Sequence, residues 1–317
     1  MFRPAKETQK WMFLKLPAHG LARVGNPPDS QTRLAAGTVP VGLVLVSTPI
    51  GNMGDITTRA AETLRACDLI LCEDTRHSAR LLAAVGATAR AEALHEHNED
   101  ARIGPVLGML RMGKRIALIS DAGTPLVSDP GYRLVRAAIA AGLPVTALPG
   151  ANAAVTALVL SGLPPQPFLF LGFPPPRSAA RRAGFSTLRA AERAGLSATM
   201  IWHEAPHRLA ETLEDMQAIF GDRAAAVARE LTKHFEEVRR GTLSELCASF
   251  AAVPARGEIT VLVGPAEEAD PEDLDGSLRR ALATGSVKDA AAIVAAATGL
   301  PRKIVYARAL ELAAQPE

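Results

Sequence analysis

The sequence predicts an α/β protein: two successive α/β domains followed by a small helical module at the C-terminus. Three observations predict it. Apolar runs of strand length alternate with stretches of helical length from Gly42 to Val263. Leu163-Pro164-Pro165-Gln166-Pro167 interrupts the alternation and reads as a linker. Beyond an acidic, proline-containing stretch at 265–275 the strand signal disappears, and 276–317 reads as helix only.

Taken in order, residues 1–40 show no periodicity and contain Asn26-Pro27-Pro28-Asp29. They are expected to be an extension, either disordered or the product of a start assigned too early. The first domain, 41–163, is expected to hold strands at 42–47, 68–73, 90–94, 115–120 and 144–148. Helices at 56–66, 75–85, 99–112, 131–141 and 150–162 follow them in turn, so the sheet should be mostly parallel. The second domain, 164–265, is expected to hold strands at 168–173, 198–203, 224–229 and 257–263. Its helices fall at 178–194, 206–219 and near 242–251; short connections point to a mixed sheet. In the terminal module, 272–317, Ser286 and Leu300-Pro301 mark helix starts.

Composition narrows the function classes. Hydrophobic content of 48% and charged content of 21% indicate a globular chain with ample core. Aromatic residues make up 4%, too few for nucleic acid to be held mainly by base stacking. The net charge is +2, and residues 1–40 alone carry six Lys/Arg against two acids, so any basic face must be local. Cys67, Cys72 and Cys247 form no CxxC and are odd in number, which argues against a disulfide frame or zinc site and fits a reducing cytoplasm. No apolar run reaches membrane-spanning length.

Chemistry-bearing residues gather after strands. Ser120-Asp-Ala-Gly-Thr-Pro-Leu-Val-Ser-Asp-Pro-Gly131 follows the fourth strand, Ser47–Asp55 the first, and Pro149-Gly-Ala-Asn-Ala153 the fifth. Open α/β sheets bind ligands at this carboxyl edge. Glu73-Asp74-Thr75-Arg76-His77 ends the second strand and reads either as a helix cap or as cleft rim. Gly108–Arg115 nearly spells a phosphate-binding loop, but Arg115 replaces the required Ser/Thr and a strand follows instead of preceding it. Gly51-Asn-Met-Gly54 lacks the spacing of a dinucleotide fingerprint. His95-Glu96-His97 alternates its side chains along an extended segment and cannot converge on one metal.

Six motifs in order and register carry a resemblance: Thr48-Pro-Ile-Gly-Asn52, Glu73–His77, Leu94-His-Glu-His-Asn-Glu99, Ser120–Gly131, Pro206-His-Arg208 and Ala228-Arg-Glu-Leu-Thr-Lys233. Together they resemble the bacterial small-subunit ribosomal RNA cytidine 2′-O-methyltransferases of the tetrapyrrole methylase superfamily. The resemblance implies two α/β domains with S-adenosylmethionine (SAM) in the cleft between them, a homodimer, and a 16S ribosomal RNA or small-subunit substrate. The methyl acceptor would be a cytidine ribose in the decoding region; no DNA, membrane or metal is implied.

Matched motif by motif, the resemblance places cofactor contacts at Pro49, Ile50, Gly51 and Asn52, at Ser120, Asp121, Ala122, Gly123, Thr124 and Pro125, and at Gly150, Ala151, Asn152 and Ala153. The second domain would add His203, Glu204, Ala228, Leu231 and Thr260. A 2′-hydroxyl is weakly acidic, so a proton acceptor helps; Glu73, Asp74 and Glu99 are candidates. RNA phosphates would meet Arg76, Arg177, Arg181, Arg182, Arg208, Lys233, Arg302 and Lys303. Two rivals stand beside this reading: a tetrapyrrole C-methyltransferase on the same core, against which the helical tail and the Glu73–His77 and Leu94–Glu99 motifs favour RNA, and a non-catalytic RNA-binding assembly factor that keeps the cofactor pocket.

Overall fold

The computed structural model describes residues 39–266, 271–298 and 300–314. The extension expected at 1–40 lies outside them but for its last two residues.

The first domain contains β1 (Gly42–Val46), α1 (Thr58–Ala66), β2 (Leu69–Cys72), α2 (Thr75–Val85), β3 (Arg90–Ala93), α3 (Glu99–Arg111), β4 (Arg115–Ile119), α4 (Tyr132–Ala140), β5 (Val145–Leu148) and α5 (Ala153–Ser161). Its five strands are parallel, in the order β3-β2-β4-β1-β5. The period-2 side-chain alternation splits the core in two. Val44, Val46, Ile70, Cys72, Ala117 and Ile119 pack on Leu64 of α1 and Leu81 and Leu82 of α2. Leu43, Leu69, Leu71, Ile116 and Leu118 pack on Val106 and Leu110 of α3 and Leu134 of α4. Strands covered on both faces must be apolar throughout, which is why their signal in the sequence is strong.

The second domain contains β6 (Phe168–Phe170), α6 (Ser178–Arg193), β7 (Thr199–Glu204), α7 (Leu209–Phe220), β8 (Ala224–Arg229), β9 (Glu237–Thr242), α8 (Leu243–Ala252) and β10 (Ile259–Val263). The strand order is β6-β7-β10-β8-β9, with only β6–β7 parallel. The mixed sheet is as expected, but β9 corrects the element order. Its sequence, Glu-Val-Arg-Arg-Gly-Thr, carries one large apolar residue and sits at the sheet edge. Charged edge strands discourage aggregation and leave little hydrophobic signal.

One face of this sheet holds Met200, Trp202, Val227 and Val261 against Phe185, Leu213, Phe220, Leu246 and Phe250. The opposite face holds Ile201, Ala226, Ala228 and Leu262, covered by Ala154, Ala157 and Leu158 of α5 and by Ile50. Thus α5 belongs to the first domain by chain order yet packs on the second sheet. That core joins the two domains and fixes the cleft between them.

The C-terminal module has three helices: α9 (Pro271–Leu282), α10 (Val287–Thr298) and α11 (Arg302–Ala313). Leu278, Ala291, Val294, Val305 and Ala309 form its core. The first helix starts inside the segment expected to be linker. Proline suits a first helical turn, where its missing N–H would have no intrahelical partner anyway.

Candidate active site in the interdomain cleft

The strand order places the carboxyl ends of β4, β1 and β5 side by side, so the three loops singled out by sequence meet. Thr48 and Gly123 exchange backbone hydrogen bonds of 2.8 and 3.1 Å. The Thr48 hydroxyl donates to the Ser120 carbonyl at 3.2 Å, and the Ser120 hydroxyl to the Gly123 carbonyl at 3.1 Å. Thr124 Oγ1 donates to the Ala151 carbonyl at 3.2 Å and accepts from Asn152 Nδ2 at 3.3 Å. Asn152 Oδ1 caps α5 by accepting from the Val155 N–H at 3.1 Å. Gly150 serves packing: a Cβ there would sit 2.7 Å from the Ser47 Cβ.

These loops form one wall of a cavity of about 340 Å³. That volume suits a cofactor-sized ligand, since such pockets run from about 300 to 1,000 Å³. Of the expected cofactor contacts, Ile50, Ala122, Gly123, Thr124, Asn152 and Ala153 line it from the first domain. His203, Glu204, Ala228, Leu231 and Thr260 line it from the second. Pro49, Gly51, Asn52, Ser120, Asp121, Pro125, Gly150 and Ala151 stand outside the lining. Several brace it: Asp121 Oδ1 accepts from the Asp74 N–H at 3.3 Å, and Asn52 Oδ1 from the Gly54 N–H at 2.9 Å.

Sequence reasoning missed Val127, Ser128, Asp129, Phe173, Ala205, Pro206 and Gly257 as lining residues. Asp129 lay within the loop it had singled out. Leu126 and Ser128 both adopt φ of 70°, a left-handed conformation that is costly for a branched side chain and concentrates at functional sites.

The electrostatics divide the cleft. Burial, with the charges of Glu73 and Asp121, pushes the Asp129 carboxyl up to about 6. Burial and the Asp121 and Glu96 carboxylates raise Glu73 as well. On the opposite wall, burial disfavours the charged form of the His203 imidazole and lowers its proton affinity, with the Glu258 charge acting the other way; its Nδ1 lies 3.1 Å from Thr260 Oγ1.

Two acid candidates are corrected by their partners. Glu99 is 3% exposed; it accepts from the Leu134 N–H at 2.9 Å and from Arg133 Nε at 3.2 Å, so it anchors the start of α4. Asp74 caps α2 through the Arg76 N–H at 2.8 Å and pairs with the Arg76 guanidinium, which holds its carboxyl down at about 2. Glu73 alone of the three keeps an uncommitted carboxylate near the cleft. Glu204 lines the cavity, but its carboxylate accepts from Arg208 Nε at 2.7 Å and Thr212 Oγ1 at 2.6 Å.

The RNA candidates divide likewise. Arg181 is corrected: it is fully buried and donates to Asp215 from Nε at 2.8 Å. Arg208 is engaged with Glu204, and Lys233 with Glu230 at 2.9 Å and Glu258 at 3.2 Å. Arg76 is 90% exposed despite its pair with Asp74. Arg177, Arg182, Arg302 and Lys303 are exposed. Among the described residues no cluster of His, Cys, Asp and Glu is placed to hold a metal ion.

Comparison with known proteins agrees with this architecture. The profile of the Tetrapyrrole (Corrin/Porphyrin) Methylases matches residues 42–247, and that of the RsmI C-terminal HTH domain matches 268–313. Proteins named "Ribosomal RNA small subunit methyltransferase I" are similar: that of Micromonospora olivasterospora is 48% identical over 83% of this chain and 85% of its own. That of Mesorhizobium japonicum is 48% identical over 89% and 96%, and that of Escherichia coli O157:H7 44% over 85% and 94%. Among solved structures, the methyltransferase CobJ superposes with a TM-score of 0.53 at 20% identity, over 71% of this chain and 94% of that one. Diphthine synthase does so with 0.54 at 15%, over 70% and 90%; both likenesses concern the fold. The chain belongs to the tetrapyrrole methylase family, in the group of the ribosomal RNA small subunit methyltransferase I proteins.

Proposed function

We propose that the protein methylates the ribose 2′-oxygen of a cytidine in the decoding region of 16S ribosomal RNA, with SAM bound in the interdomain cleft. One observation carries the reading: a cofactor-sized cavity, walled by short side chains on both domains, adjoins a carboxylate group with raised proton affinity. Ala122, Gly123, Ala153 and Ala228 leave room for a nucleoside against the backbone, so the residues present fit SAM. When bound, SAM supplies a methyl group activated by its sulfonium charge.

The chain's own task is to align the acceptor and to take its proton. Asp129 is the acceptor we favour over Glu73, because it lines the cavity while Glu73 stands at the edge. With SAM held there, the Asp129 carboxylate would take the proton of the ribose hydroxyl that receives the methyl group. Glu73 and Asp121 keep that carboxylate basic, and the joint negative charge favours a cationic cofactor. Phosphates are repelled from this point, so exposed Arg76, Arg177 and Arg182 would hold the flanking backbone, with Arg302 and Lys303 on the terminal module.

A homodimer is part of the proposal: Val155 and Val159, one turn apart on α5, are 47% and 70% exposed. A cytoplasmic site of action fits three free cysteines and the absence, among the described residues, of any helix long and apolar enough to cross a membrane. The test is transfer of labelled methyl from SAM to small subunits from cells lacking this gene, followed by nucleoside analysis. Labelled 2′-O-methylcytidine is expected. Label on a base atom, or none on subunits or naked RNA while SAM still binds, overturns the reading and favours a tetrapyrrole-type substrate or a pocket without catalysis.

A further inference from the structure

We propose that Phe173 is the stacking platform for the base of the acceptor nucleotide. This rests on the reading of the cleft as an RNA 2′-O-methylation site. Five aromatic rings among the described residues are substantially exposed: Tyr132, Phe168, Phe173, Phe235 and Tyr306. Only Phe173 lines the cleft, and it is 57% exposed there. A phenyl ring left this open to solvent at the cleft contributes little to folding, whereas single-stranded RNA is commonly read by bases stacked on such rings.

The ring is held ready. One side of it packs on the His203 imidazole, with centroids 5.6 Å apart and planes at 57°, and His203 rests in turn on Phe170 at 4.9 Å. The backbone beneath is fixed, because the His203 N–H donates to the Gly172 carbonyl at 2.9 Å. Gly172 has φ of +66°, which favours glycine, and a Cβ there would stand 3.9 Å from Ser128 Oγ. The turn that carries Phe173 therefore faces the loop that carries Asp129. A base stacked on the ring sets its ribose toward that carboxylate. Pro174-Pro175-Pro176 stiffens the exit, and exposed Arg177 follows for a flanking phosphate.

The experiment compares wild type, Phe173→Leu and Phe173→Trp for methylation of unmethylated small subunits, with SAM affinity measured separately by equilibrium dialysis. Phe173→Leu is expected to lower kcat/KM for subunits about 10- to 100-fold, as loss of one stacked base does. Its SAM affinity should stay within about twofold, showing the fold and cofactor site intact, and Phe173→Trp should recover most of the loss. A Leu variant within about twofold of wild type overturns the stacking role. So does a loss matched by equal loss of SAM affinity, which would assign the ring to the cofactor's adenine. An inactive wild type removes the RNA reading itself, a result distinct from an active wild type with an unaffected variant.

Discussion

Replacing Asp129 by asparagine tests the proposed chemistry most directly, because the same carboxylate makes two predictions of opposite sign. With its carboxyl raised from the ordinary 3.8 to about 6, Asp129 is mostly protonated at pH 5. One unit below the midpoint about a tenth remains ionised, so kcat/KM, which reports the free enzyme, should fall about tenfold between pH 7.5 and 5. Asp129→Asn has no proton to lose there; its acid limb should flatten, with activity down about 100-fold, the lower end for a lost general base.

Stability moves the other way. A carboxyl whose folded pKa is raised stabilises the protein below about 3.8, and that contribution is lost as pH rises through about 6. The full two-unit rise corresponds to about 3 kcal/mol, which partial exposure reduces to about 1–2 kcal/mol. Asp129→Asn should therefore be more stable than wild type by that amount in urea at pH 7.5, and no more stable at pH 3. Activity lost with stability gained is the expected signature of a functional carboxylate held in a costly place. A flat wild-type profile from pH 5 to 7.5, together with an asparagine variant of unchanged activity, would refute the assignment.

Other expectations follow from particular partners. Glu73→Gln removes the largest charge raising Asp129, so the acid limb of kcat/KM should shift to lower pH without disappearing. Arg181→Leu leaves the buried Asp215 carboxylate without its main cation and should cost about 3 kcal/mol in urea unfolding, while the salt dependence of RNA binding stays as in wild type. Arg177→Ala should do the reverse, lowering the slope of log affinity against log salt by about 0.7–0.9 with stability unchanged, whereas Arg182→Ala should lower the slope and also cost some stability, because Arg182 lies 3.6 Å from Asp215. Asn152→Ala removes both the α5 cap and the tie to Thr124; a stability loss of about 1 kcal/mol is expected, with weakened SAM binding in dialysis.

The strands β1, β2 and β4 were legible because they are buried on both faces, and continuous apolar runs separated by helical periods have few other readings. The strand β9 was not, since an edge strand with three charged residues among six looks like loop until β8 is beside it. The site divides on similar lines. Residues that line the cavity with backbone or short side chains, such as Gly123 and Ala153, follow from position after a strand. Arg181, Glu99 and Asp129 depend on what tertiary packing sets beside them. Arg181 stands in an arginine-rich helix whose other exposed members suggest a solvent face; only Asp215, 34 residues on, shows that it turns inward. Asp129 and Glu73 lie 56 residues apart in sequence, and nothing local announces that their charges interact.

The helix α5 explains why cleft and fold are hard to separate here. Its N-terminal cap, Asn152, belongs to the cofactor wall, and its buried face, Ala154, Ala157 and Leu158, closes the core between the domains. The sequence Ala-Ala-Val-Thr-Ala-Leu-Val-Leu suits both tasks, for alanine at two of the three contact positions lets the helix lie close to the second sheet. A larger residue at Ala157, which is fully buried, would have to push that sheet away. The walls at Ala228 and Thr260 would move with it, because β8 and β10 carry them as well as the interdomain contacts at Ala226 and Leu262. The width of the cleft is thus set by the side-chain size of a helix that meets the cavity only at its first residue, Ala153, and cofactor affinity should respond to packing changes farther along it.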